Sequence, residues 1–178
     1  DADYAGGTVL RGGHRIVLEA TPQEVWDTVR RIGGRNGWYF AQPLWKLRGL
    51  MDRAAGGPGL RRGRRHPADL RVGDGLDFWR VVAVEPDQRL LLLAEMKAPG
   101  DALLEFKIRD EGEGRTALEM VSRFLPRGLA GISYWYALLP THRWIFEGML
   151  SAVARRTGRR IIEGPEAISV EDPVVCRL

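Results

Sequence analysis

Residues 126–160, PRGLAGISYWYALLPTHRWIFEGMLSAVARRTGRR, limit what this chain can fold into more than any other stretch. From Thr141 onward, Trp144, Ile145, Met149, Val153 and Ala154 recur at helical steps and share one side of a helix. Arg143, Glu147, Arg155 and Arg156 fall largely on the other side. Pro140 has no amide hydrogen and biases Leu139 away from helical angles. The stretch therefore predicts two helical pieces with a kink or break between them. A helix this apolar needs a lid or a sheet to cover it.

The residues just upstream can supply a sheet. From Leu76 to Leu125 the chain reads as LDFWRVVAV, RLLLLAEM, LLEFKI and RTALEMVSRFL, separated by turns at Glu85–Gln88, Pro99-Gly100-Asp101 and DEGEG. Turns this short imply an antiparallel meander. In LLEFKI, Leu104, Phe106 and Ile108 share one face and Glu105, Lys107 and Arg109 the other, so this strand is half buried. Leu90 to Leu93 do not alternate, which predicts cover on both faces or a partner surface on one. In LDFWRVVAV two registers stay open, one burying Phe78, Val82 and Val84, the other Trp79, Val81 and Ala83.

The N-terminal part reads as a loose, glycine-rich lead-in over the first dozen residues, then a strand from His14 to Ala20 with Ile16, Leu18 and Ala20 on one face. Thr21, Pro22 and Glu24 match a capping box with proline at the first helical position, ahead of Val25, Trp26, Val29 and Ile32. Gly33 and Gly34 stop that helix. The loop GGRNGWYF closes a helix instead of opening one, which argues against a phosphate cradle. Pro43 opens a second helix with Leu44, Leu47, Leu50 and Met51 as its apolar face, and a basic, glycine-containing connection follows. At the other end, IIEGPEAISVEDPVVCRL predicts a tail laid on the surface or partly disordered.

Composition narrows the class. With 178 residues, 44% hydrophobic and 28% charged, the chain fits a single domain with a sizeable core, 1–178, its core spanning about 12–160 and its tail 161–178. The longest apolar run, ISYWYALLP, is too short for a membrane span. A lone cysteine, Cys176, forms no intramolecular disulfide and no cysteine metal site, which fits a cytoplasmic location. The first residue is Asp1, which favours the C-terminal part of a longer polypeptide over a processed leader. The net charge of +4 gathers in Arg61, Arg62, Arg64 and Arg65 and in Arg155, Arg156, Arg159 and Arg160. Neither cluster has the interleaved aromatics of a single-strand binder. They read as a solvated loop and a solvated helix end, and nucleic acid or an anionic membrane ranks last among the partners.

The order of strand, capped helix, second short helix, antiparallel meander and long helix resembles the helix-grip fold of the START and polyketide-cyclase (SRPBCC) superfamily. IVLEATPQEVWDTVRRI is similar to its opening strand and helix. More narrowly, GGRNGWYF, PLWKLRGLMDRAAGGPGLRRGRR, VGDGLDFWRV, LLAEMKAPGDALLEF and PRGLAGISYWYALLPTHRWIFEGML resemble a bacterial family of unknown function. That family commonly follows an NAD(P)-binding domain of short-chain-dehydrogenase or NmrA type. One departure is Leu103, where the family's motif carries a tryptophan. The resemblance implies an α+β fold with a curved antiparallel sheet wrapped around a long C-terminal helix. It also implies a cavity between them for an apolar or aromatic small molecule, and it implies no reaction.

A site in such a cavity needs a few polar groups among apolar walls. The residues expected to bind ligand are Trp38, Tyr39, Trp45, Trp79, Glu95, Glu105, Tyr134, His142 and Phe146, with two or three tryptophans reaching the cavity. Tyr136 and Asp77 complete the set of polar candidates. Glu95 and Glu105 flank the Pro99-Gly100 turn and form either a carboxylate pair on adjacent strands or two solvated carboxylates facing Lys97, Lys107 or Arg123. His14, His66 and His142 have no ligand-like spacing, so neither a metal nor a cofactor is expected. The reading favoured is a binding domain for a small hydrophobic ligand, accessory to a neighbouring NAD(P)-binding oxidoreductase domain. Its rival is a cyclase or dehydratase in which His142, a tyrosine or a strand glutamate moves protons.

Overall fold

The short turns within residues 76–126 fold each strand back on the one before it, so those strands pair in sequence. The structure is a computed structural model and describes residues 8–60 and 64–170. Its strands are β1 (Leu10–Leu18), β2 (Gly75–Leu76), β3 (Trp79–Glu85), β4 (Arg89–Ala94), β5 (Gly100–Gly112), β6 (Arg115–Pro126) and β7 (Ile161–Ile168). They form one antiparallel sheet in the order β2-β3-β4-β5-β6-β1-β7. The helices are α1 (Pro22–Val29), α2 (Gln42–Ala54) and α3 (Gly128–Thr157). This is the helix-grip α+β fold, a curved sheet with a long helix lying in it.

Register decides which side chains meet α3. Across the sheet, Leu90 lies opposite Phe106, Phe106 opposite Met120 and Met120 opposite His14. In the next row, Leu92 faces Leu104, which faces Ser122. These apolar positions are buried and pack against Ile145, Phe146, Met149, Leu150 and Val153 of α3. Alternation then turns Leu91, Glu105 and Val121 to the opposite face. The capping box at Thr21 forms as expected, with the Thr21 Oγ1 accepting from the Glu24 amide at 3.3 Å and Glu24 accepting from the Thr21 amide at 3.0 Å.

Several expectations need correction. α3 is continuous through Pro140, neither broken nor split into two pieces. Proline removes one hydrogen bond, to the carbonyl four residues earlier, and both Pro140 and Tyr136 are exposed, so water can take that carbonyl. Trp144 is not on the buried stripe; it is 53% exposed at the flank, with its ring against Phe40. β1 begins at Leu10 instead of His14, and residues 161–168 form the edge strand β7 against β1 instead of a loose tail.

LDFWRVVAV is two strands, not one. The chain turns at Asp77, whose φ of 55° is left-handed, so β2 folds back on β3. Neither register holds along the whole of β3, because the pairing shifts between Val81 and Ala83. Val81 lies opposite the buried Leu92 and Val84 opposite the buried Leu90, so the bulge lets both point inward. β4 alternates after all, with Leu90 and Leu92 buried and Leu91 and Leu93 half-buried on the outer face. Arg61, Arg62, Cys176 and the ends 1–7 and 171–178 lie outside the described residues.

Candidate functional site

The apolar face of α2 does not bury itself. Leu44, Leu47, Leu50 and Met51 are 36–62% exposed, against the expectation of a packed helix face. Of these, Leu44, Leu47 and Met51 border a cavity of about 450 Å³ between α2, α3 and the inner face of the sheet, while Leu50 points away. The contact surface these side chains lack is therefore the cavity itself.

The floor comes from β5 and β6 through Ala102, Leu104, Ser122 and Phe124, and the wall of α3 through Tyr134, Trp135, Leu138, His142, Ile145 and Phe146. Positions 134, 138, 142 and 145 follow the helical repeat, which is why one side of α3 serves the whole length of the cavity. Trp45 and Trp79 close the inner end, and Met96, Lys97 and Ala98, which follow β4, form the rim opposite α2. A smaller, polar hollow of about 240 Å³ adjoins that rim between residues 94–98, Gly100, Asp101 and Arg127.

Aromatic rings give the wall its rigidity. Phe124 stacks on Trp135 at 5.8 Å, His142 contacts Trp135 edge-on at 5.7 Å and stacks on Phe146 at 6.0 Å. Trp38 stacks behind Trp45 at 5.0 Å and is itself only 1% exposed. Polar atoms in this wall are few. The Trp79 Nε1 is buried without a hydrogen-bond partner, as is the His142 Nδ1, which leaves Nε2 as the His142 nitrogen able to address a ligand. Burial lowers the His142 pKa below the ordinary 6.5, so the ring is neutral at pH 7.

α2 is held over the cavity by one clamp. The Asp52 carboxylate, fully buried, accepts from the Gly59 amide at 2.8 Å and the Lys97 amide at 2.5 Å. One turn earlier, Arg48 donates through Nη2 to the Lys97 carbonyl at 3.0 Å. Helix and rim are thus tied through both backbone groups of a single residue, Lys97.

Of the nine residues expected to bind ligand, Trp45, Trp79, Tyr134, His142 and Phe146 line the cavity. Trp38, Tyr39, Glu95 and Glu105 do not. Trp38 donates to buried Asp77 at 2.9 Å, and Tyr39 donates to the Thr28 carbonyl at 2.8 Å with Arg156 over its ring. Burial raises the Asp77 pKa, opposed by the Trp38 and Gly34 donors. The carboxylate pair does not form. Glu95 pairs with Arg80 at 2.6 Å, and Glu105, on the outer face, pairs with Arg89 and Arg123 at 2.5 Å each. Glu105 is not solvated either, being 1% exposed. Burial would push its carboxyl up, but Arg123 and Arg89 overcome that and hold it below the usual range.

Arg48 and Lys97 were not legible as site residues, because their placement depends on how α2 meets the end of β4, and Ser122 and Leu138 line the cavity as neighbours of Leu104 across the sheet and of Tyr134 and His142 along α3. His14, 4% exposed, lies behind the cavity wall, its ring packed edge-on against Phe146 at 5.9 Å and its Nε2 3.5 Å from Glu147. Among the described residues, no hydrogen bond joins His142 to Tyr134, Glu95 or Glu105, and no three His, Cys, Asp or Glu side chains converge as metal ligands. No helix among them is long and apolar enough to cross a membrane.

A family model described as "Protein of unknown function (DUF2867)" matches residues 4–149. No curated protein matches the chain. Among solved structures, norcoclaurine synthase from Thalictrum flavum is similar with a TM-score of 0.54 at 8% identity, over 85% of this chain and 88% of that one. CalU16 from Micromonospora echinospora gives 0.40 at 16% identity over 85% and 94% of the two chains. A conserved protein from Geobacillus kaustophilus gives 0.44 at 11% over 85% and 99%. At 8% identity the likeness to norcoclaurine synthase is one of fold alone.

Proposed function

From the premise that this chain belongs to the DUF2867 family of proteins of unknown function, we propose that it binds a small hydrophobic or aromatic molecule between the sheet and α3. The observation that carries this reading is the cavity of about 450 Å³, walled by aromatic and aliphatic side chains and opening past exposed leucines on α2. Pockets of this size with few polar groups suit ligands recognised mainly by shape and burial. Trp45, Trp79, Tyr134, His142 and Phe146 are the contacts we assign, with Leu104 and Phe124 beneath the ligand. We take 1–178 as one domain. Its accessory place beside an NAD(P)-binding oxidoreductase domain rests on the sequence resemblance, and its cytoplasmic location on the lone cysteine.

The test is titration with 1-anilinonaphthalene-8-sulfonate, read through energy transfer from the three cavity tryptophans, together with native mass spectrometry of the purified protein. Saturable binding at one site, weakened by Leu104→Trp, is expected. A folded protein that gives no saturable signal and carries no co-purified small molecule overturns the reading.

A second reading is a cyclase- or dehydratase-type enzyme, favoured by the neutral His142 ring in the cavity wall, a state suited to accepting a proton. A solved neighbour of this fold is by name a synthase, although fold alone does not choose between carrier and catalyst. His142 has no second acid or base within hydrogen-bond reach, so the substrate itself would have to bring the other group. Solvent deuterium entering a bound ketone with wild type and not with His142→Gln, at equal affinity, would establish catalysis.

A further inference from the structure

We infer that the ligand is an apolar acid, its body in the cavity and its carboxylate at the rim against Arg48, with Lys97 beside it. This deepens the proposed binding function and rests on it. The inference comes from how charges around the cavity are paired. Glu95 is held by Arg80, Asp101 by Arg127 and Glu105 by Arg89 and Arg123. Glu95 and Asp101 beside the rim, and Glu105 on the outer face, are thus each neutralised by arginine. Arg48 and Lys97 are the exceptions: both line the cavity, and among the described residues neither side chain has a carboxylate partner.

Asp52 does not fill that role. It sits one turn from Arg48 on α2, but its two oxygens are taken by the backbone amides of Gly59 and Lys97. The Arg48 guanidinium spends Nη2 on the Lys97 carbonyl, a neutral acceptor, which fixes the group at the rim and leaves its other N–H donors for a ligand. A planar guanidinium half-buried beside apolar walls suits a carboxylate better than it suits water. The deeper polar group, His142, is neutral at pH 7 and adds no competing charge inside. Apolar walls below and two unneutralised cations above together select a molecule that is apolar at one end and anionic at the other.

The experiment is isothermal titration calorimetry of the whole chain with 4-phenylbutanoate, 4-phenylbutanol and 4-phenylbutylamine, repeated with Arg48→Gln and Lys97→Gln. A charge-assisted contact should favour the acid over the alcohol by about tenfold or more, and that preference should shrink as salt rises. Arg48→Gln should erase most of it while weakening the alcohol far less than the acid, since Asp52 still holds the Lys97 amide and keeps α2 in place. Lys97→Gln, at an exposed position whose backbone keeps the clamp, should reduce it by a smaller factor. Equal binding of acid and alcohol, tighter binding of the amine, or an acid preference that survives both substitutions would overturn the inference while leaving the cavity reading intact. If none of the three compounds binds the folded protein, the cavity reading falls and the acid preference with it.

Discussion

The buried carboxylate of Asp52 accepts the amide hydrogen of Lys97 at 2.5 Å, joining α2 to the chain that leaves β4. Its other oxygen accepts from Gly59, so one side chain satisfies two backbone donors where water does not reach. Asp52→Ala strands both amides, and unsatisfied buried donors cost roughly 1–3 kcal/mol each. We expect a loss of about 3 kcal/mol in urea unfolding. Gly57→Ala should act through the same contact, because a Cβ there would stand 2.3 Å from the Asp52 oxygens. Asp52→Asn, which keeps one acceptor, should cost less than either.

Acid should weaken the fold before it reaches the carboxylates. His14 has a lowered pKa because burial, the largest influence, outweighs the attraction of Glu147, with Arg143 acting in the same direction as burial. His142 is lowered by burial alone. In the unfolded chain both titrate near 6.5. As pH falls below that value, the unfolded chain gains protons that the native state refuses, so stability is full above 6.5 and declines downward until the native histidines protonate. Each refused proton steepens the decline by up to about 1.4 kcal/mol per pH unit. Urea midpoints at several pH values from neutral downward should show this slope, and His142→Gln should flatten part of it. An unchanged slope in both His14→Phe and His142→Gln would assign the acid sensitivity elsewhere.

Glu105 supports the sheet from outside. Glu105→Ala removes a carboxylate that lies between Arg89 and Arg123, and Arg123 is only 6% exposed. Breaking a buried pair from one side typically costs roughly 3–5 kcal/mol. We expect a loss at the lower end of that range, because Arg89 is 34% exposed and can turn toward water. Glu105→Gln should recover part of it, since its amide oxygen still accepts one hydrogen bond.

The sequence carried the periodic parts of this molecule and missed those set by how elements meet. The capping box at Thr21, the meander and the stripe of Ile145, Met149 and Val153 all follow from local spacing, and all are present. The two helical pieces, with a kink or break between them, expected around Pro140 rested on a local argument; solvent on that side of α3 lets one helix run through the proline. The parity of β3 was undecidable because a bulge lies inside it. Leu44, Leu47 and Met51 looked like ordinary core from their spacing, and only the gap beneath α2 turns them into cavity wall. Glu105 looked solvated because alternation assigns a face without saying that three cations meet on it.

Phe40 and Gly148 link the start of α2 to the middle of α3. A Cβ on Gly148 would stand 2.2–2.4 Å from three atoms of the Phe40 ring, well inside contact. Replacing a glycine by alanine within a helix ordinarily gains about 1 kcal/mol, and overpacking costs roughly 1–3 kcal/mol. The ring cannot simply withdraw, because the Phe40 carbonyl accepts from the Trp45 Nε1 at 3.1 Å and its ring also meets Trp144 at 4.7 Å. The clash should therefore win in Gly148→Ala, with a net loss of up to about 2 kcal/mol. Phe40→Leu in the same chain removes the obstructing ring edge, so the double variant should be more stable than the two single losses added together. Additive losses in that double-mutant cycle would mean that Phe40 does not rest on Gly148 in solution, and that α2 is fixed at its C-terminal clamp alone.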